Sequence, residues 1–154
     1  MQGVILAAGK GTRLHPLTLH RSKAMMPIVG KPIVERVMDM LVHNGIHDIV
    51  LVVSPDDQTI RHHFEQVSKI EARVRFVNQV ERRGMAKALE LAAPLLDEDF
   101  VLSACDNLVT ESAVGDLIRT LQGRDAPNGV LTLMPVTRDK IASTGIVDMD
   151  GKWI

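Results

Sequence analysis

The chain has 154 residues, 45% hydrophobic and 24% charged, with 18 basic residues set against 19 acidic ones, a length and balance that fit one soluble globular domain with its own core. A net charge of -1 supplies neither a nucleic-acid footprint nor a polybasic membrane patch, so the expected partner is a small, locally recognised ligand. The single cysteine, Cys105, excludes an internal disulfide; with no basic leader at the N-terminus and no apolar run long enough to span a bilayer, a cytoplasmic location is expected and a membrane partner is not.

Short β-branched runs alternate with stretches of helical period, the pattern of an α/β domain with a mainly parallel sheet. Residues 3–8 (GVILAA) are apolar at every position, as a central strand covered on both faces must be. Residues 9–30 hold Pro16, Pro27 and several glycines, too irregular for one helix and long enough to be functional. A helix is predicted from Pro32, because Val34, Val37, Met38, Leu41 and Val42 recur at helical spacing before Asn44-Gly45 stops it. Residues 49–54 (IVLVVS) form the next expected strand, and Ile60, Phe64 and Val67 mark the apolar stripe of the helix after it.

A third strand is expected over residues 74–79, then a helix past Gly84 with Met85, Ala88, Leu89, Ala92 and Leu96 on its stripe. Strand pattern returns at residues 100–104, and Thr110 is the expected N-cap of a helix carrying Val114, Leu117, Ile118 and Leu121. A strand is expected over residues 130–136, and residues 145–154 read as a hairpin turning at Asp150-Gly151 with a second strand of only Lys152, Trp153 and Ile154. No repeat or interdomain linker interrupts the chain, so a single domain over residues 1–154 is expected.

The segment Gly9-Lys10-Gly11-Thr12-Arg13-Leu14 follows a buried strand, where backbone N–H groups can face a crevice and hold phosphates. It is not a dinucleotide fingerprint, since Leu14 stands where the third glycine belongs. It is not a P-loop either: five residues, not four, separate Gly3 from Gly9, and Gly11 follows the lysine in place of Ser or Thr. A ligand-free glycine turn is the plain alternative for this loop taken by itself. The six histidines show no zinc-motif spacing and read as surface residues, and Cys105 within an apolar strand reads as a buried, inert thiol.

The ordered run LAAGKGTRLHPLT (6–18), SKAMMP (22–27), GKP (30–32) and Glu35 resembles the signature of the sugar-1-phosphate nucleotidyltransferases. The resemblance implies a Rossmann-like three-layer α/β sandwich with a mainly parallel central sheet. It implies an enzyme that transfers a nucleoside monophosphate from a nucleoside triphosphate to a sugar 1-phosphate and releases pyrophosphate, with Mg²⁺ as cofactor. Such chemistry rests on aligning two polyanions and neutralising the charge that develops between them.

By resemblance, Arg13 contacts the β- and γ-phosphates and Lys23 lies near the α-phosphate, the two together being the expected catalytic cations. Leu6, Ala8, Gly9, Gly11, Thr12 and Arg13 would contact the nucleotide, with Gln79 and Gly84 reading the base; the glutamine amide both donates and accepts, which suits a pyrimidine and favours dTTP or UTP. Asp106, at the end of the strand over 100–104, matches the family's Mg²⁺ ligand, with Asn107 a weaker candidate; a turn-capping Asp-Asn pair is the alternative. Gly145 resembles a glycine of the sugar pocket, or is a simple turn residue. Lys31 reads as a loop anchor. The family's Glu-Lys-Pro segment and second metal-binding aspartate do not occur here, so the chain is expected to bind nucleotide while its catalytic domain stays C-terminally incomplete. A cytidylyltransferase acting on phosphocholine or a similar alcohol phosphate, and a non-catalytic nucleotide-binding module whose open sheet edge pairs with a second copy, remain alternatives.

Overall fold

The computed structural model describes residues 1–81, 83–123 and 128–151. They fall into two compact units, Met1–Asp116 and Leu117–Ile154. In the first unit the chain runs β1 (Gln2–Leu6), a long loop with short 3-10 turns at Thr12–Leu14 and Lys23–Met25, a small hairpin of β2 (Pro27–Ile28) and β3 (Lys31–Pro32), then α1 (Ile33–His43) and β4 (Asp48–Val53). It continues through α2 (Gln58–His62), a π-helical turn (His63–Val67), β5 (Arg73–Asn78), α3 (Met85–Ala92) and β6 (Phe100–Ala104). The last helix, α4 (Glu111–Leu121), starts in the first unit and ends in the second.

Four strands form one parallel sheet in the order β5-β4-β1-β6. In register, Gly3 and Ile5 pair with Ile49 and Leu51 while Val4 and Leu6 pair with Val50 and Val52, so alternate residues look to opposite faces. Val4, Val50 and Val52 pack with Ala88 and Ala92 of α3. On the other face a Cβ built on Gly3 would stand 2.9 Å from Leu41 Cδ1 of α1 and 3.3 Å from Ile46, so glycine is what lets α1 close onto the sheet. Helices therefore cover both faces, and the all-apolar runs of β1 and β4 follow from that. Ile5, Ile49, Leu51 and Val50 are fully buried, each contributing about 1.5–3 kcal/mol through loss of apolar surface to water.

Local chemistry sets the boundaries. Pro32 sits at the N-cap of α1, and a left-handed Gly45 (φ 80°) lets Ile46 N–H reach back to Leu41 O at 3.0 Å and Gly45 N–H to Val42 O at 2.9 Å, a Schellman closure. Thr110 Oγ1 accepts from Ala113 N–H at 3.3 Å, as its expected capping role requires. One polar residue of β1 is buried by design: Gln2 donates to Asp48 Oδ2 and Leu95 O and accepts from Asp97 N–H, joining β1 to β4 and to the segment before β6.

Three sequence expectations fail here. The stripe after β4 does not continue as one α-helix, because the backbone widens into the π turn and leaves Val67 exposed. In the second unit residues 130–136 are irregular rather than a strand, with Leu131, Leu133 and Met134 exposed: a β-like pattern becomes a strand only where a neighbour accepts its hydrogen bonds. Residues 145–149 likewise have no strand structure, although Gly151 adopts the positive φ of 60° expected at the turn. The predicted return strand at residues 152–154 lies outside the described residues. Among the described residues after α4, the regular element is instead a 3-10 segment, Arg138–Ser143, closed by Thr144 Oγ1 donating to Lys140 O at 2.8 Å. No helix of the described residues is long and apolar enough to cross a membrane.

Candidate functional site

The sheet order creates the site. From β1 the chain winds outward through β4 to β5, then returns to place β6 on the other side of β1. The segments leaving β1 and β6 diverge there, and such a switch point at the carboxyl ends of parallel strands opens a crevice. Here the crevice has a volume of about 360 Å³ and is lined by Leu6, Ala8 and Gly9 after β1, Lys23 from the long loop, Gln79 after β5, Gly84, Met85 and Ala88 of α3, and Ala104, Cys105 and Asp106 after β6. That volume lies in the range of small-molecule sites.

Seven residues singled out from the sequence thus share one cavity: Leu6, Ala8, Gly9, Lys23, Gln79, Gly84 and Asp106. Gly9 has nothing within 4 Å of where a Cβ would stand, so its exposed main chain is open to a ligand. Gln79 is 5% exposed, not a surface loop residue. Its main-chain N–H bonds Val53 O at 2.8 Å and its amide Nε2 lies 3.4 Å from Gly84 O, which orients the side chain at the cavity wall. Gly84 holds φ 89° and ψ 178°, a conformation open essentially to glycine alone.

Lys23 Nζ donates directly to Asp106 Oδ2. Asp106 therefore spends its carboxylate on a crevice cation and not on capping its own turn, which is held by backbone bonds from Asn107 N–H to Ala104 O and Leu108 N–H to Asp106 O. Lys23 is aimed by its surroundings. Gly11 (φ 65°) lies against its stem, since a Cβ there would fall 2.8 Å from Lys23 Cβ, and Thr18 Oγ1 donates to Gly11 O at 2.8 Å. The adjoining Ala24 is buried.

Other expected site residues are not among those that line this wall. Gly11 acts through Lys23, while Thr12 and Arg13 occupy an exposed 3-10 turn and do not line the crevice. Lys10 lines a neighbouring hollow with Thr18, Ser22 and Asp57. Asn107 is exposed and does not line the crevice. Gly145 lies in the second unit, exposed and with open space around it. Lys31 does anchor its loop: it bonds Asp39 Oδ2 at 2.7 Å and approaches Glu35 at 3.7 Å, and the Asp39 hydrogen bond holds its ammonium above the usual lysine range.

Three features escaped sequence reasoning. Met85 is 70% exposed and lines the crevice, whereas its spacing placed it on a buried stripe; it precedes the part of α3 that meets the sheet. His63 is not a surface histidine, because its ring, 12% exposed, bonds the Glu35 carboxylate, a partner 28 residues away that no local pattern reveals. Cys105 is buried as expected, but it also lines the cavity; burial first, then the charge of Asp106, pushes its thiol from 9.0 up to about 11, leaving it protonated at neutral pH and unsuited to nucleophilic attack.

The donor set fits a hard divalent ion in one respect: a carboxylate at the crevice wall, with no group of three or more His, Cys, Asp or Glu gathered to hold an ion among the described residues. Magnesium binds in this manner, through one or two carboxylates completed by phosphate oxygens and water.

Comparison with known proteins bears on the family and the fold. The chain is 34% identical to the UTP–glucose-1-phosphate uridylyltransferase AglF of Haloferax volcanii over 95% of its own length and 59% of the relative's. It is 34% identical to the glucose-1-phosphate thymidylyltransferase of Mycolicibacterium smegmatis over 100% of its length and 54% of the relative's, and so spans just over half of each. A crystal structure of a Bacillus anthracis protein assigned as a glucose-1-phosphate thymidylyltransferase superposes with a TM-score of 0.68 over 78% of this chain and 51% of that one, at 24% identity, a likeness of fold. The family model described as nucleotidyl transferase matches residues 2–153, and with the parallel sheet, its switch-point crevice and the two relatives at 34% identity, the chain belongs to the sugar-1-phosphate nucleotidyltransferase family.

Proposed function

We propose that the crevice binds a pyrimidine nucleoside triphosphate, UTP or dTTP, with Mg²⁺, and that the chain supplies the nucleotide half of a site that transfers the nucleoside monophosphate to a sugar 1-phosphate. The observation that carries this reading is the meeting of Lys23, Gln79, Gly84 and Asp106 with the main chain of Ala8 and Gly9 around one cavity. Gln79 and the Gly84 main chain read the base edge, the glutamine by donating and accepting at once. The names of the two relatives, one acting on UTP and one a thymidylyltransferase, support the pyrimidine preference.

In the reaction a phosphate oxygen of the sugar 1-phosphate forms a bond to the α-phosphorus while the bond from that phosphorus to the bridging oxygen of the pyrophosphate breaks. Lys23 balances charge at the α-phosphate, and Arg13, exposed on its turn, folds over the β- and γ-phosphates with the planar donor fork that matches them. Asp106 would hold the Mg²⁺, which when bound neutralises phosphate charge. Removing one donor of the Lys23 type from such a site typically costs about 3–4 kcal/mol in the transition state.

Calorimetric titration of the 154-residue chain with UTP, dTTP, ATP and GTP in Mg²⁺ tests the binding half, and pyrophosphate release on adding glucose 1-phosphate tests the transfer. The expected result is saturable heat with UTP and dTTP and at least tenfold weaker binding of the purine nucleotides. Absence of binding by all four would refute the proposal.

A further inference from the structure

Lys23 and Asp106 lie 83 residues apart in sequence, yet the lysine ammonium rests on the aspartate carboxylate at the crevice wall. Both side chains remain about one third exposed, at 30% and 36%, so a ligand can reach either. The contact is not a chance meeting of two surface charges. The lysine stem is fixed by Gly11, whose missing Cβ leaves room for Lys23 Cβ, by the Thr18 bond to Gly11 O and by the buried Ala24 beside it.

We infer that Lys23 is a built-in counter-ion that keeps free divalent cations off Asp106 until a triphosphate draws the ammonium away. The inference rests on the nucleotide reading given above and extends it to the order in which the site fills. One carboxylate whose charge is already balanced has little attraction left for a dication in water. A triphosphate changes that balance twice, because it offers the ammonium a more highly charged partner and brings oxygen ligands of its own for the metal. Lys23 thereby couples the two ligands: whatever factor the nucleotide adds to metal affinity, the metal adds to nucleotide affinity. A lysine that served only as a phosphate ligand would weaken nucleotide binding when removed and leave binding of the bare ion unchanged. The counter-ion role predicts opposite signs for the two.

The test is Mn²⁺ binding followed by electron paramagnetic resonance on the full chain, with and without UTP, for the wild type, Lys23→Met, Lys23→Gln, Asp106→Asn and the double variant Lys23→Met/Asp106→Asn, each checked for native circular dichroism. The expected result is that both Lys23 variants bind Mn²⁺ alone at least tenfold more tightly than the wild type, that Asp106→Asn abolishes this gain, and that UTP raises Mn²⁺ affinity more in the wild type than in either variant. Unchanged or weaker binding of Mn²⁺ alone by the Lys23 variants, a gain in Lys23→Met but not in Lys23→Gln, or a gain that survives Asp106→Asn overturns the inference. If the wild type binds UTP while the Lys23 variants show no gain for the bare ion, only the counter-ion role falls; if the wild type does not bind UTP, the nucleotide reading falls first.

Discussion

Of the basic residues in the segment between β1 and α1, Lys23 and Arg13 are under very different restraint. Lys23 stands on a turn whose neighbour Ala24 is buried, its stem lies against Gly11, and its ammonium has a partner in Asp106. Arg13 stands on a turn with no buried residue, and among the described residues no ion pair or side-chain hydrogen bond involves it. The fold itself positions one cation, and on the proposed reading the nucleotide would order the other. The lesson is thermodynamic: a preorganised group has spent its conformational entropy during folding, whereas a free one loses it on binding, so substitution of the first disturbs the protein and substitution of the second disturbs only the complex.

That contrast can be broken or sharpened by substitution. The largest effect is expected from Gly11→Val, which puts a β-branched residue at φ 65° and a carbon 2.8 Å from Lys23 Cβ. Stability should fall by about 3 kcal/mol from backbone strain and overpacking together, and UTP binding should fall with it; an unaltered urea midpoint would show that the Lys23 arm is loosely held after all. Arg13→Ala comes next. It should leave the thermal midpoint within the few tenths of a kcal/mol typical of surface changes while lowering UTP affinity about tenfold to a hundredfold at low salt, the loss shrinking as salt rises; a loss of stability instead would erase the distinction between the arms. The smallest effect is expected from Thr18→Val, which keeps the shape of the side chain and deletes its bond to Gly11 O. It should cost about 1 kcal/mol in denaturant unfolding, and a stability equal to wild type would mean that Leu14 N–H, which also bonds that carbonyl at 2.9 Å, suffices alone.

β1 and β4 are legible because their burial is two-sided, whereas the edge strands β5 and β6, only partly buried, are legible from their short apolar runs alone. Residues 49–54 were expected and Asp48–Val53 is observed, residues 74–79 were expected and Arg73–Asn78 is observed, and Phe100–Ala104 coincides with its expectation. The end of α1 was legible for a different reason: Asn44-Gly45 carries its stop signal within two residues. The irregular stretch over residues 130–136 misled, because alternation records a preference for a pleated surface and says nothing about whether a partner strand exists. At the site, motif order marked Lys23 and Asp106 one by one. Their mutual contact and the pairing of His63 with Glu35 depend on how distant elements pack, and Arg13 drew attention through its position in a motif although the folded chain leaves it outside the cavity.

Gly84 closes one side of the cavity with a main-chain geometry that side-chain-bearing residues scarcely visit. Position 84 is thus mute in any effort to retune what the cavity accepts, since every replacement must first rebuild the entrance to α3. Redesign of ligand preference has to act through its two flanking voices, the amide of Gln79 and the projecting thioether of Met85, which can change shape and polarity while the turn between them stays as it is.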